Sequence, residues 1–313
     1  MGHRHRGTPA TMLGAMALTM ASLVMPITPS GAQTSTASFQ TADGNRTMLV
    51  TDHGRGRPAP LVIVLHDALG SSELVRRSMT WDAIAARDGL IVAYPQGLRQ
   101  VWNDARPDGA IVASGARADD IAFLRRLVGD LVAQGKVDRR RVYVAGVGQG
   151  GRLVYRLACD AGDVFGAAAA LLATLPASLV RDCRGAPVPL MIMAGTEDPL
   201  SPWGGNPGRQ GGEGATLSSE ATFAFFRERH SCRGAEGRAV PDRTAEDGSK
   251  VVVMEGAGCR VSLRLYHIEG GGHRVPGLVE QPPLSLRGPA LGRQNRDIDA
   301  AEEIWAFFRD KSR

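Results

Sequence analysis

The chain has 313 residues, of which 43% are hydrophobic and 22% charged, and its formal net charge is +5. This length and composition predict one large globular domain with a sizeable core. The positive excess is weak and forms no basic block, which argues against a nucleic-acid-binding function.

The first 32 residues are predicted to be a secretory signal peptide. His3–Arg6 form a basic start, and the apolar run Met12–Met25 is too short to span a bilayer comfortably. The small residues Ser30–Ala32 then offer a cleavage site. Removing residues 1–32 lowers the formal net charge to +3, because two arginines and no acids are lost. We expect residues 33–313 to form the mature domain, secreted or periplasmic, with no membrane attachment after cleavage.

The exported part contains four cysteines. An even number of cysteines in an oxidising compartment favours two disulfides, and three pairings are possible. Pairing of sequence neighbours closes the shortest loops. A metal site is not expected, since no C-x-x-C or H-x-x-x-H spacing accompanies the cysteines, which are Cys159, Cys183, Cys232 and Cys259.

Hydrophobic patterning predicts strands and helices that alternate along most of the chain. A mostly parallel sheet covered by helices on both faces is therefore expected. Gln33–Thr41 is predicted to be loose, and Gly204–Gly214 and Arg233–Lys250 are predicted to be surface loops. The predicted strands are Arg46–Val50, Leu61–Leu65, Leu90–Tyr94, Val142–Ala145, Leu190–Ala194, Val251–Met254 and Val261–Ile268. The predicted helices are Trp81–Arg87, Asp119–Ala133, Arg152–Asp160, Ser219–Arg229 and Asp299–Arg309.

The stretch Arg141–Gly151 is a predicted strand that runs into a glycine-rich turn and a helix. Gly146 and Gly150 have the G-x-S-x-G spacing of a nucleophile elbow, whose middle residue is normally Ser. The middle residue here is Gly148. The turn is therefore expected to form without the nucleophile.

Polar residues follow other predicted strands at their carboxyl ends, where ligands bind in open α/β sheets. His66 and Asp67 follow the second strand, Asp198 follows a later one, and His273 follows the last. The order elbow, acid, histidine is that of the α/β-hydrolases.

These segments together resemble the secreted polyhydroxybutyrate depolymerase-like and feruloyl esterase-like α/β-hydrolases. The resemblance spans nearly all of the exported chain. The matching segments, in order, are PLVIVLHDALG, LIVAYPQG, DDIAFLRRLV, VDRRRVYVAGVGQGG, MAGTEDPLSPWGG, IEGGGHRVPG and EEIWAFF.

The resemblance implies a single α/β-hydrolase domain, carboxylic-ester hydrolysis, no cofactor, and a small-molecule or oligomeric ester or aromatic ligand. It implies that Asp198 is the acid of a catalytic triad and that His273 is its general base. Trp102 and Trp203 would line the substrate cleft. The neighbouring cysteine pairs would match the disulfides of the family.

Two positions depart from the family pattern. Gly148 replaces Ser, so no covalent intermediate can form at that position. Asp67 replaces the glycine of an L-H-G segment in the oxyanion region, to which Gln149, the residue after the elbow centre, also belongs. A carboxylate there would oppose the negative charge that develops during hydrolysis. We hypothesise that Asp67 reaches into the vacated space and pairs with His273.

Three functions remain open at this point. The protein is a pseudo-hydrolase that keeps a binding cleft, an esterase in which His273 and Asp198 activate water directly, or an exported non-catalytic binding protein. His66 and His267 are expected to be structural, and Ser71 is expected to cap a helix. Trp102 is interpreted either as a substrate-stacking ring or as a cover of the core.

Overall fold

In the computed structural model, residues 1–3, 34–106, 118–208, 214–277 and 291–313 are described. The chain divides into Met1–Gly31 and a compact unit of Ala32–Arg313, and the architecture below is that of the second unit. The predicted signal peptide lies outside the described residues, apart from residues 1–3. Within the described part, no helix is long and apolar enough to cross a membrane.

The compact unit is built on one sheet of ten described strands in the order β1-β2-β4-β3-β5-β6-β7-β10-β9-β8. Strands β4, β3, β5, β6, β7 and β10 are parallel to their neighbours in that row, and antiparallel strands extend the sheet at both edges. The strands are Thr34–Thr41 (β1), Gly44–Asp52 (β2), Ala59–Leu65 (β3), Ile91–Pro95 (β4), Val137–Val147 (β5), Ala167–Leu171 (β6), Leu190–Gly195 (β7), Gly234–Ala239 (β8), Lys250–Ala257 (β9) and Leu263–Glu269 (β10).

Helices cover both faces of this sheet, as the α/β-hydrolase fold requires. Alternate residues of β3 point to opposite faces, so that Ile63 packs into one apolar cluster and Val62 into the other. The described α-helices are Ser72–Ser78 (α1), Trp81–Asp88 (α2), Asp120–Ala133 (α3), Gln149–Asp160 (α4), Leu179–Asp182 (α5), Ser219–Arg229 (α6) and Ala300–Phe308 (α7). Buried residues of α3, α4 and α6 belong to the cluster of Ile63, and those of α2 and α7 belong to the cluster of Val62.

Three strands differ from the sequence expectations. Residues 34–41 were expected to be loose but form β1, which pairs with β2 along its whole length. Part of Arg233–Lys250, expected to be a loop, forms β8. Its sequence GAEGRA has few apolar side chains because β8 is an exposed edge strand. The run AAAAL of β6 has little strand propensity of its own, and burial between β5 and β7 holds it in the sheet.

The two predicted disulfides are present. Cys159 at the end of α4 is bonded to Cys183, and Cys232 is bonded to Cys259. They link positions 24 and 27 residues apart. Each bond therefore closes a short loop beside a helix that packs on the sheet.

We predict that replacing Cys159 and Cys183 together with Ser lowers the free energy of unfolding by about 3 kcal/mol, because the unfolded chain regains the freedom that the closed loop removes. Denaturant unfolding under oxidising conditions measures this loss. The matched control is the unaltered protein in reductant, which should lose at least as much stability. Equal stability of the variant and the oxidised protein would contradict a stabilising bond at this position.

Candidate active site

The predicted strand–turn–helix forms as expected, with β5 ending at Val147 and α4 beginning at Gln149. Gly148 between them has φ 55° and ψ −113°. Residues other than glycine adopt this backbone conformation only with strain. The turn is tight: a Cβ atom added at Gly146 would lie 2.3 Å from the carbonyl oxygen of Gly150. The sequence therefore retains the backbone of a nucleophile elbow.

The carboxylate of Asp67 lies directly over this turn. Its Oδ1 accepts hydrogen bonds from the backbone N–H groups of Gln149 and Ala68, each at 2.7 Å. Its Oδ2 lies 3.0 Å from Nε2 of His273. The contact between Asp67 and His273 that the sequence suggested is thus within hydrogen-bond reach.

The side chain of Asp67 fills the space in which a side chain at position 148 would begin. A Cβ atom built on Gly148 would lie 2.0 Å from Oδ1 of Asp67 and 2.2 Å from its Cγ. These distances are far below van der Waals contact. The observed position of the Asp67 carboxylate therefore requires the absence of a Cβ atom at position 148.

His273 lies between two carboxylates. Its Nδ1 is 2.7 Å from Oδ2 of Asp198, while its Nε2 faces Asp67. Oδ1 of Asp198 also accepts hydrogen bonds from the backbone N–H groups of Leu200 and Ser201. Asp198 and His273 are 4% and 7% exposed, so this contact is shielded from water.

The electrostatics of this cluster favour its charged form. Burial acts to lower the pKa of His273, but the hydrogen bonds to Asp198 and Asp67 outweigh it and raise the pKa to about 9. Burial acts to raise the pKa of Asp67, but the hydrogen bond and the positive charge of His273, together with two backbone N–H groups, lower it. At neutral pH the imidazole is therefore a cation that donates to a carboxylate on each side.

The side chain of Gln149 binds the backbone of Trp102. Its side chain is fully buried and forms two hydrogen bonds with the backbone of Trp102: Nε2 donates to the carbonyl oxygen, and Oε1 accepts from the N–H. Its own backbone N–H is occupied by Asp67. The donor that the sequence placed in the oxyanion region is thus already satisfied within the protein.

Trp102 covers the core and does not present its ring to a cleft. Its side chain is 0% exposed, and Nε1 donates to the carbonyl oxygen of His66 at 2.9 Å. The expectation that Trp102 lines the substrate cleft is corrected by this burial, because the indole packs beneath the loop that carries Asp67. His66 is structural, with Nε2 accepting from the N–H of Gly97 and Nδ1 facing the carbonyl oxygen of Asp67.

The remaining sequence candidates form the following contacts. Trp203 is half-buried and stacks on the ring of His267 with centroids 4.3 Å apart. The hydroxyl of Ser71 accepts from the N–H of Leu74 and caps α1, as expected. In the described ranges, no group of three or more His, Cys, Asp or Glu residues is placed to hold a metal ion.

Sequence reasoning did not identify Arg152. This residue lies on the first turns of α4, and its Nη2 donates to the hydroxyl of Ser201 at 3.0 Å. Burial lowers the pKa of Arg152, whereas the charges of Asp67 and Asp198 act to raise it, which places the guanidinium within the field of the cluster. Its position four residues after Gly148, about one helical turn, was the signal that could have revealed it.

The chain is similar in sequence to a known family and to several known esterases. The family model described as Esterase PHB depolymerase matches residues 50–178. NocK of Nocardia uniformis subsp. tsuyamanensis, which is named as an esterase, is 28% identical over 262 residues, covering 80% of this chain and 74% of NocK. Feruloyl esterase B of Piromyces equi is 27% identical, covering 69% of this chain and 40% of that protein, so the match spans under half of its length.

A solved structure supports the fold. The acetyl xylan esterase from Aspergillus awamori superposes with a TM-score of 0.58 at 13% sequence identity, covering 88% of this chain and 99% of that one. At this identity the likeness concerns the α/β-hydrolase fold alone.

We predict that the imidazole of His273 titrates near pH 9 and that Asp67→Asn lowers this pKa by roughly one pH unit or more, because one of the two neighbouring negative charges is removed. NMR titration of the histidine ring resonances measures both values. Asp163→Asn, at an exposed ion pair with Arg125, is the control and should leave the titration unchanged. Titration near pH 6.5 in the unaltered protein, or an unchanged value in Asp67→Asn, would contradict the charged cluster.

Proposed function

We propose that this chain is an exported member of the polyhydroxybutyrate depolymerase/feruloyl esterase-like hydrolase family, that its serine-ester chemistry is blocked, and that its cleft binds ligand without ordinary turnover. The observation that carries this proposal is the position of the Asp67 carboxylate. It engages Nε2 of His273 and the N–H of Gln149 at once. Those are the groups that would activate a nucleophile and stabilise an oxyanion.

Each requirement of the acyl-enzyme route meets an obstacle. Gly148 has no atom that can attack a carbonyl carbon, and the carboxylate of Asp67 fills the space in which a side chain at 148 would lie. The negative charge of Asp67 would also repel the oxyanion of a tetrahedral intermediate. An enzyme that loses a triad member typically keeps a rate about a thousandfold to ten-thousandfold above the uncatalysed rate. The added carboxylate would lower even that remaining activity.

Direct activation of water by His273 and Asp198 is the less favoured route. A general base must be neutral to accept a proton, and a pKa of about 9 keeps the imidazole of His273 protonated at neutral pH. Nε2, the imidazole nitrogen that would contact a water molecule, already forms a hydrogen bond with Oδ2 of Asp67. Such a route would require both loss of the proton and displacement of the carboxylate.

Export is supported by two features of different kinds. The basic and apolar start of the chain has the pattern of a signal peptide. The described residues contain two disulfides and no free cysteine, which suits an oxidising compartment. We therefore propose a mature protein that works in the periplasm or outside the cell.

We predict that Gly148→Ser combined with Asp67→Gly raises the hydrolysis of 4-nitrophenyl butyrate or methyl ferulate by about a hundredfold or more over the unaltered protein, because it supplies a nucleophile and frees both His273 and the N–H of Gln149. Gly148→Ser alone should gain little, since the new Cβ would meet the Asp67 carboxylate. Asp67→Gly alone should gain little, since it lacks a nucleophile. Initial rates of the four proteins test this order.

The control is His273→Ala in the doubly substituted background, which should abolish the gain while thermal melting verifies that the protein folds. A folded but inert double variant would show that the surviving residues are not a poised catalytic site. Ordinary esterase rates in the unaltered protein, lost on His273→Ala, would refute the proposal and favour the water route.

A further inference from the structure

Arg152 is a half-buried residue whose guanidinium lacks a carboxylate partner. Its Nη2 is bound by the neutral hydroxyl of Ser201, whereas its Nε is buried and has no hydrogen-bond partner. In the described part of the chain, no carboxylate oxygen forms an ion pair with this guanidinium, although eleven other arginines of the same part do form one. A charge that is shielded from water and unpaired costs free energy unless another group binds it.

The acids around Arg152 are committed elsewhere. Asp67 accepts from His273 and two backbone N–H groups, and Asp198 accepts from His273 and two others. Asp104, whose charge also acts on Arg152, is fully buried and paired with Arg106 at 2.8 Å. The positive charge of Arg152 therefore remains available beside the closed cluster.

Two exposed leucines lie on the loops that carry the acids of the site. Leu69 and Leu200 are 63% and 43% exposed and are two of the three large hydrophobic side chains so exposed among residues 34–106, 118–208, 214–277 and 291–313. Leu69 follows Asp67 by two residues, and Leu200 follows Asp198 by two. Both loops that carry the acids of the site thus also present an exposed leucine.

We propose that Arg152 binds the carboxylate of a small organic acid whose apolar body contacts Leu69 and Leu200. The planar guanidinium fork matches the geometry of a carboxylate, and its Nη atoms would donate to the ligand, because the buried Nε is out of reach. The ligand would be an acid and not an ester at the position of Arg152. This inference rests on the proposed function, because it assumes that the cleft persists as a binding site, and it specifies the chemical class of the ligand.

The test compares a carboxylate with its uncharged amide. Ferulate and ferulamide share one aromatic body, and isothermal titration of the unaltered protein at pH 7 should give at least about tenfold tighter binding of ferulate, as expected for one charge-assisted, bidentate contact. Arg152→Gln should reduce this ratio to about one. Arg126→Gln is the matched control, since Arg126 forms an exposed ion pair with Asp130 on α3, and it should preserve the ratio.

A second variant separates charge from folding. Arg152→Lys keeps the positive charge without the fork and should retain part of the preference, and thermal melting checks each variant. Equal affinity for the two ligands in the unaltered protein, no binding of either, or an unchanged preference in folded Arg152→Gln would overturn the inference. Because these titrations involve no turnover, they fail or succeed independently of the esterase rates of the Gly148 variants.

Discussion

The structure of the site depends on one steric and electrostatic constraint: the carboxylate of Asp67 and a side chain at position 148 cannot occupy the same space. A Cβ on Gly148 would lie 2.0 Å from Oδ1 of Asp67. With that Cβ absent, the carboxylate reaches both Nε2 of His273 and the N–H of Gln149. The remaining hydrogen bonds of the site close around this arrangement.

This constraint unites two departures from the family pattern that look independent in the sequence. Gly148 removes the nucleophile, and it also releases the strain that any other residue would suffer at φ 55°. Asp67 then supplies the negative partner that a protonated His273 requires. With these two residues in place, the elbow, the helix that follows it and the Asp198–His273 hydrogen bond are all present.

The sequence predicts the fold well because the parallel strands are apolar runs between turns. The spacing of Gly146 and Gly150 also indicates the elbow directly. The same reasoning misjudged β1 and β8, whose polar residues form strands only because a neighbouring strand pairs with them. Trp102 was ambiguous because an aromatic residue in a loop gives no sign of whether it points inward. Its buried indole donates to the backbone of His66, and its own backbone is bound by the side chain of Gln149, both of which are remote in sequence.

Within the site, the order of residues along the chain identified Asp198 and His273 and suggested the Asp67–His273 contact. The charge state of His273 could not be read from the sequence, since it results from two carboxylates on loops that follow different strands. Arg152 was missed for a similar reason. Its significance is the absence of an ion-pair partner among the described residues, which is a property of the assembled structure and not of any motif.

The most direct measurement of the central claim is a double-mutant cycle on the free energy of unfolding, with Gly148→Ala in the unaltered protein and in the Asp67→Gly background. Backbone strain at position 148 is common to both backgrounds and cancels. If the carboxylate occupies the space of a side chain at 148, Gly148→Ala should cost about 1 to 3 kcal/mol more when Asp67 is present. The same cost in both backgrounds would show that the two positions do not compete, and it would contradict the account.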